Sequence, residues 1–203
     1  MPIVTSIKPQ KNNKRVNIYL DGKFGFGLDL ENFVKEKIKV EQELTEKQVE
    51  DIVKKAELAK TKDKLLRFVM TRPRSEKEVD DWFWRKKVHA SLHQKLKKFL
   101  QKYDYLNDEK FTRWWVEQRL TFKNSSKRQL IAELRQKGIE KNIIEDVLEE
   151  SDIDDAKAAK KLIDKNMYKW KRYEGFEKKK KMSEFLGRKG FGWDTIKAVT
   201  HVD

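Results

Sequence analysis

Cysteine is absent from this 203-residue chain, so it holds neither a disulfide framework nor a thiolate metal site, which fits a reducing cytoplasm. No apolar run approaches the roughly 18 residues that a membrane span requires, and the N-terminal segment lacks the hydrophobic core of a signal peptide. Apolar content is also low, with 37% hydrophobic against 40% charged residues; that balance favours a thin assembly of helices over one thick core. Catalytic signatures are missing too. Gly25-Phe26-Gly27 lacks the remainder of a phosphate loop, and no local motif marks a serine nucleophile with its base and acid. His89 and His93 have the spacing of two metal ligands on a helix, yet no Glu follows His89 and no third ligand is evident, so neither a metal nor a cofactor is expected. Asp80-Asp81 and the group Asp152, Asp154 and Asp155 could suggest nuclease carboxylates. Helix-start charge explains the latter group, and neither comes with a catalytic lysine motif.

Against these absences stand aromatic residues at 11%, including six Trp, enough large apolar groups to exclude a disordered chain. There are 48 Lys and Arg against 34 Asp and Glu, giving a formal net charge of +14 and a pI near 9.6. So basic a balance points to a polyanionic partner, nucleic acid first, or else to a merely well-solvated surface. The charge is uneven. Residues 61–105 carry 13 basic and 6 acidic side chains, residues 106–151 carry 9 of each, and residues 152–203 carry 14 and 9. The middle segment is polarised, since Lys110 to Lys137 holds eight basic and two acidic residues while Glu140 to Ser151 holds one and five.

The first segment has the alternation of strands: Ile3 to Ile7, a turn from Pro9 to Lys14, Val16 to Leu20, Asp21-Gly22, then Phe24 to Phe26. Placing Val16 and Ile18 on one face with Phe24 and Phe26 predicts a three-residue connection with Gly22 left-handed. A helix near Leu30 to Lys37 should follow. From Thr45 the period becomes helical, opening with the capping box Thr45 to Gln48 and the apolar positions Val49, Ile52, Val53 and Ala56.

Internal comparison is more informative. Ser75 to Val79 with Phe83 and Val88 is echoed 51 residues later by Ser126 to Leu130 with Leu134 and Ile139. A third copy lies 52 residues further on, where Met182, Leu186, Gly190 and Phe191 replace Leu130, Leu134, Gly138 and Ile139. Lys137-Gly138 and Lys189-Gly190 should stop their helices through a left-handed glycine. A short helix follows each copy, carrying Leu92 and Leu96, then Ile143 and Val147, then Ile196 and Val199. Another helix precedes each: Asp63 to Met70, Asp108 to Leu120, Asp154 to Lys165. The expected fold is therefore mainly α: a tandem array of three three-helix modules, elongated and curved, with a small N-terminal antiparallel β-hairpin or sheet. Its expected domains are 1–44 (hairpin extension and short helix), 45–105 (linker helix and first module), 106–151 and 152–203.

Four motifs in this order carry a recognisable pattern: Arg72 to Glu78, Tyr103 to Phe111, Glu133 to Ile139, and Phe185 to Phe191. Together they resemble the RecX family over roughly residues 60 to 200. Three positions depart from that pattern and bear on turn geometry: Asp104 and Ser126 where glycine is common, and Lys87 in place of the glycine of a Lys-Gly stop. The resemblance implies a regulator that binds in the groove of a RecA filament on single-stranded DNA and inhibits ATP hydrolysis, strand exchange and coprotease activity. It implies roles in recombination, repair and the SOS response, and a cytoplasmic monomer that is not an enzyme and needs no membrane. The expected partners are the RecA filament, single-stranded DNA and also double-stranded DNA; the alternative is a general basic DNA-binding or chromatin-associated protein without recombinase specificity.

Candidate contacts follow the charge. Arg72 and Arg74 flank Pro73, where helix punctuation with solvated arginines is an equal explanation. Lys86 and Lys87 end the first copy's helix. Arg113, Arg119 and Lys123 lie on the helix before the second copy. Lys127 and Arg128 occupy a first helical turn, which the macrodipole disfavours for cations, and Arg135 and Lys137 continue that helix. Lys179, Lys180 and Lys181 belong to a four-lysine run, not all of which can point one way, and Arg188 and Lys189 lie beyond it. Among the tryptophans, core packing accounts for most, and Trp84, between Phe83 and Arg85, is the first candidate for exposure and for stacking on a base.

Overall fold

The computed structural model describes residues 1–11 and 13–201. They form two compact units, one of Met1–Arg72 with Val88–Leu96, the other of Pro73–Lys87 with Lys97 onward.

The first unit opens on a three-stranded antiparallel sheet of order β1-β2-β3, with β1 Val4–Pro9, β2 Arg15–Leu20 and β3 Lys23–Asp29. The β2–β3 connection corrects the sequence expectation. It has two residues, Asp21 (φ 49°) and Gly22 (φ 79°), both left-handed, the conformation that matches the twist of the flanking strands. The odd residue lies inside β3 instead. Ile18 pairs with Phe26 but Tyr19 pairs with Phe24, so Gly25 is bulged out and Phe24 turns away from the core, 60% exposed. Glycine is needed there because a Cβ on Gly25 would meet Leu20 Cγ at 2.9 Å. Val4, Val16, Ile18, Phe26 and Leu28 form the buried face with Ile52 and Ala56.

Helix α1, Leu30–Glu36, is capped by Asp29, whose carboxylate accepts the Asn32 amide N–H. Helix α2, Glu46–Met70, carries the expected capping box at Thr45 and Gln48. Its 25 residues join two stretches that sequence periodicity separated; no glycine or proline lies between them, so nothing interrupts the hydrogen-bond ladder.

Then come α3 Glu76–Arg85, α4 Ala90–Lys102, α5 Asp108–Lys123, α6 Lys127–Gln136, α7 Lys141–Glu150, α8 Asp155–Asn166, a 3-10 turn Met167–Trp170, α9 Gly175–Arg188 and α10 Trp193–Thr200. The chain is mainly α, with ten α-helices among the described residues. The internal repeat is physical. Leu130, Leu134, Ile139 and Ile144 are buried in the core of α5–α7, and Met182, Leu186, Phe191 and Ile196, each 52 residues later, are buried in that of α8–α10. Trp82 and Trp170 are buried, Trp114 and Trp115 half-buried.

The three departures keep their turn geometry. Asp104 adopts φ 57° and Lys87 φ 51°, so each takes the left-handed state without glycine. Asp104 is held by the Lys110 ammonium and the Asn107 side-chain amide. Ser126 caps α6 by accepting the Gln129 amide N–H.

Candidate nucleic-acid interface

Within the second unit two junctions are built alike. Ser75 accepts the Glu78 amide N–H at 3.2 Å, which caps α3, and its hydroxyl donates to the Lys137 carbonyl at 2.8 Å. Ser126 accepts from the Gln129 amide at 3.2 Å and donates to the Lys189 carbonyl at 2.9 Å. The first free amide of each helix is satisfied as well: Glu76 N–H donates to Asp108 Oδ1 at 2.8 Å, and Lys127 N–H to Asp155 Oδ1 at 2.9 Å. Each hydrogen bond removes a donor or acceptor that a helix end would otherwise leave unsatisfied. The start of one copy's helix is thus seated on the stop of the next copy's helix, twice.

These junctions set the stations of the cations. Lys86, Lys137 and Lys189 are the C-caps of α3, α6 and α9, with φ of −89°, −79° and −86°. The residue after each is left-handed: Lys87 at 51°, Gly138 at 79°, Gly190 at 82°. At the helix start, Lys127 and Arg128 correspond by the 52-residue offset to Lys179 and Lys180. Basic residues therefore recur at equivalent places in successive copies.

Not every candidate remains available for a partner. Arg113 lies between Glu150 at 2.6 Å and Glu109 at 2.8 Å; hydrogen bonds to Glu150, then Glu109, raise the guanidinium pKa further and lower that of Glu150. Arg119 sits 2.7 Å from Glu133 and 4.2 Å over the Trp115 ring, while the Trp115 indole N–H donates to the same carboxylate at 2.9 Å. Lys137 reaches Glu78 at 2.5 Å and lies 5.0 Å from the centroid of the Trp115 ring. Lys179 donates to the His201 carbonyl, and Lys181 lies 4.0 Å from Glu184. Arg72 and Arg74 are both half-buried.

By contrast Lys86, Lys87, Lys123, Lys127, Arg128, Arg135, Lys180, Arg188 and Lys189 are exposed and have no ion-pair partner among the described residues. Lys127, Ile131 and Arg135 recur at four-residue intervals on one face of α6 and line a groove of about 210 Å³ with Lys141, Ile144, Glu145, Leu148 and Glu149. Lys141 was not singled out by sequence reasoning. Its signal was slight: it is the lone base in an acidic stretch, and it begins α7.

On α3 Glu76 and Asp80 are neutralised from outside the helix. Lys97 lies 2.9 Å from Glu76 and 2.7 Å from Asp80; burial lowers its pKa, but hydrogen bonds to Asp80 and Glu76 outweigh it and raise the value. Asp108 is shifted upward, first by burial and then by the nearby Glu76 and Glu140 carboxylates, against the opposing hydrogen bond from the Glu76 amide. The histidines take ordinary roles: His93 Nε2 donates to the Val88 carbonyl at 2.9 Å, and His89 Nδ1 meets Ser91 Oγ at 2.8 Å. No group of carboxylates and imidazoles suited to a metal ion occurs among the described residues, and none of their helices is long and apolar enough to cross a membrane.

Known proteins share this architecture. Residues 2–45 match the regulatory protein RecX N-terminal domain, residues 107–148 the second RecX three-helix domain and residues 152–200 the third. The regulatory protein RecX of Bacillus licheniformis is 35% identical over 201 residues, covering 98% of this chain and 76% of the relative. That of Clostridium perfringens strain SM101 is 31% identical, covering 97% and 93%. A crystal structure of regulatory protein RecX superposes with a TM-score of 0.70 over the whole of both chains at 23% identity, and RecX from Lactobacillus salivarius does so with 0.60 over 71% of this chain and 94% of its own at 23% identity. At these identities the two structures speak to the fold.

Proposed function

Because the chain belongs to the RecX family of regulatory proteins, we propose that it works by binding rather than catalysis, docking in the groove of a RecA filament on single-stranded DNA. There it inhibits ATP hydrolysis, strand exchange and coprotease activity, and so restrains recombination, repair and the SOS response in the cytoplasm. The supporting observation is the recurrence of exposed, unpaired cations at equivalent stations of the repeat: Arg128 and Lys180 in the second and third copies, Lys86 and Lys189 in the first and third. A filament is itself periodic. A repeated set of cations meets a repeated set of phosphates or acidic side chains, and contacts that are weak singly add through effective concentration. A body bridging neighbouring protomers resists the rearrangements of nucleotide turnover, and its presence in the groove excludes a second strand or a repressor.

The test is ATP hydrolysis by a recombinase filament with this protein added below the amount that coats bare DNA. A fall in hydrolysis is expected. Unchanged hydrolysis, with binding to bare DNA that is steep in salt, would instead indicate a general basic DNA-binding protein.

A further inference from the structure

Helix α3 buries Val79, Trp82 and Phe83 and turns Trp84 outward, 83% exposed. An indole is among the largest apolar groups a chain can bury, and this one forgoes burial altogether while its neighbour Trp82 takes it. The repeat shows that the position itself does not call for tryptophan. The stations equivalent to Trp84 hold Arg135 in the second copy and Gly187 in the third, so the exposed ring is an addition particular to the first.

The residues that follow differ from their equivalents in the other copies in a second, independent respect. Arg85, Lys86 and Lys87 are all exposed, and Lys87 holds φ 51° where the other copies hold Gly138 and Gly190. Glycine there is forced by packing, since a Cβ on Gly138 would lie 2.8 Å from Lys77 Cβ and one on Gly190 3.0 Å from Ser126 Oγ. At Lys87 the same left-handed station carries an exposed lysine side chain instead. The acids of the same helix do not cancel the charge. Glu76 and Asp80 are paired with Lys97, and Glu78 with Lys137, which leaves Asp81 alone against three cations at the C-terminal end.

We propose that Trp84 is a base-stacking platform for single-stranded nucleic acid, with Lys86 and Lys87 holding the phosphates on either side of the stacked base. A flat exposed ring beside exposed cations suits a strand whose bases are free and whose sequence does not matter. Duplex DNA offers the cations the same phosphates but keeps its bases stacked inside, out of reach of the indole. An acidic peptide would engage the lysines and gain nothing particular from the ring's π-face. The inference deepens the functional reading above, since it rests on the chain reaching DNA itself as well as the filament protein.

The full-length protein and its Trp84→Leu, Trp84→Phe and Lys87→Gly variants are titrated against labelled oligothymidylate and against duplex DNA, with thermal unfolding of each measured alongside. Trp84→Leu keeps the apolar bulk and removes the π-face. It is expected to weaken single-strand binding about tenfold, to leave duplex binding unchanged, and to reduce the quenching of tryptophan emission by oligothymidylate. Trp84→Phe should fall between, and Lys87→Gly should lower the salt dependence of both titrations by about one counterion. Trp84→Leu binding oligothymidylate as well as the parent does, or losing single-strand and duplex binding in equal measure, overturns the stacking role. The filament reading fails separately, when the parent protein leaves recombinase ATP hydrolysis untouched.

Discussion

The Ser126 hydroxyl donates to the carbonyl oxygen of Lys189, 63 residues away, while the same oxygen accepts the Gln129 amide N–H and so caps the helix that Ser126 begins. Ser75 makes the same pair of bonds with Lys137 and Glu78. Both serines are fully buried, so truncation leaves an amide and a carbonyl unsatisfied at once. Ser126→Ala and Ser75→Ala are each expected to cost about 1 to 2 kcal/mol. Measured by urea unfolding, the double variant should show nearly the sum, since the two sites share no partner. A cost near zero for either would mean that the junction relaxes without its serine.

Equivalent stations should respond with opposite signs to opposite changes. Gly138→Ala adds a Cβ at φ 79° that meets Lys77 Cβ at 2.8 Å, and about 1 to 2 kcal/mol of destabilisation is expected. Lys87→Gly removes a side chain from φ 51° on an exposed turn, relieving that strain at the expense of a more flexible unfolded chain. Its melting temperature should stay level or rise slightly, whereas Gly138→Ala should melt clearly lower.

Asp108 gives a pH signature. Its folded pKa is raised above 3.8 by burial, with Glu76 and Glu140 adding to the effect and the Glu76 amide and Lys97 opposing it. The folded state therefore binds this proton more tightly than the unfolded one, and stability falls as pH rises from 3.8 through the folded pKa. The penalty is complete above that value and absent below 3.8. Asp108→Asn keeps an oxygen for the Glu76 amide and removes the charge, so it should match or exceed the parent at neutral pH, with any advantage vanishing in acid. Asp108→Ala loses the acceptor and is expected to cost about 1 kcal/mol. Chemical denaturation at several pH values separates the two.

What could be read in sequence followed from local rules. The serines at 51-residue spacing, the apolar stations at Leu130 and Met182 and the Lys-Gly stops all depend on residues within one or two turns, and they located the repeated helices. The β-bulge at Gly25 did not declare itself, because its cause is a contact with Leu20 across the hairpin. Cation availability was still less legible. Arg119 finds Glu133 at a separation of 14 residues, Arg113 finds Glu150 at 37, and Lys137 finds Glu78 at 59. A charge count treats these like Arg128 or Lys180, although tertiary pairing has already used them. The exposed set survived where folding brought no carboxylate within ion-pair distance of the cation.

That division yields the sharpest contrast between stability and binding. Arg119→Ala leaves Glu133 with one donor fewer and uncovers Trp115, so it should lower stability by about 1 kcal/mol. Lys127→Glu, Arg128→Glu and Arg135→Glu change exposed, unpaired cations and should leave thermal unfolding within about 0.5 kcal/mol of the parent. Together they reverse three charges on one helix. If α6 meets the filament, the triple variant should need at least tenfold more protein to slow ATP hydrolysis, with the deficit shrinking as salt is raised, because electrostatic contacts weaken as counterions compete. Inhibition equal to the parent at low salt would remove α6 from the contact surface and shift attention to Lys180, Arg188 and Lys189, whose reversal in the same assay then becomes the deciding comparison.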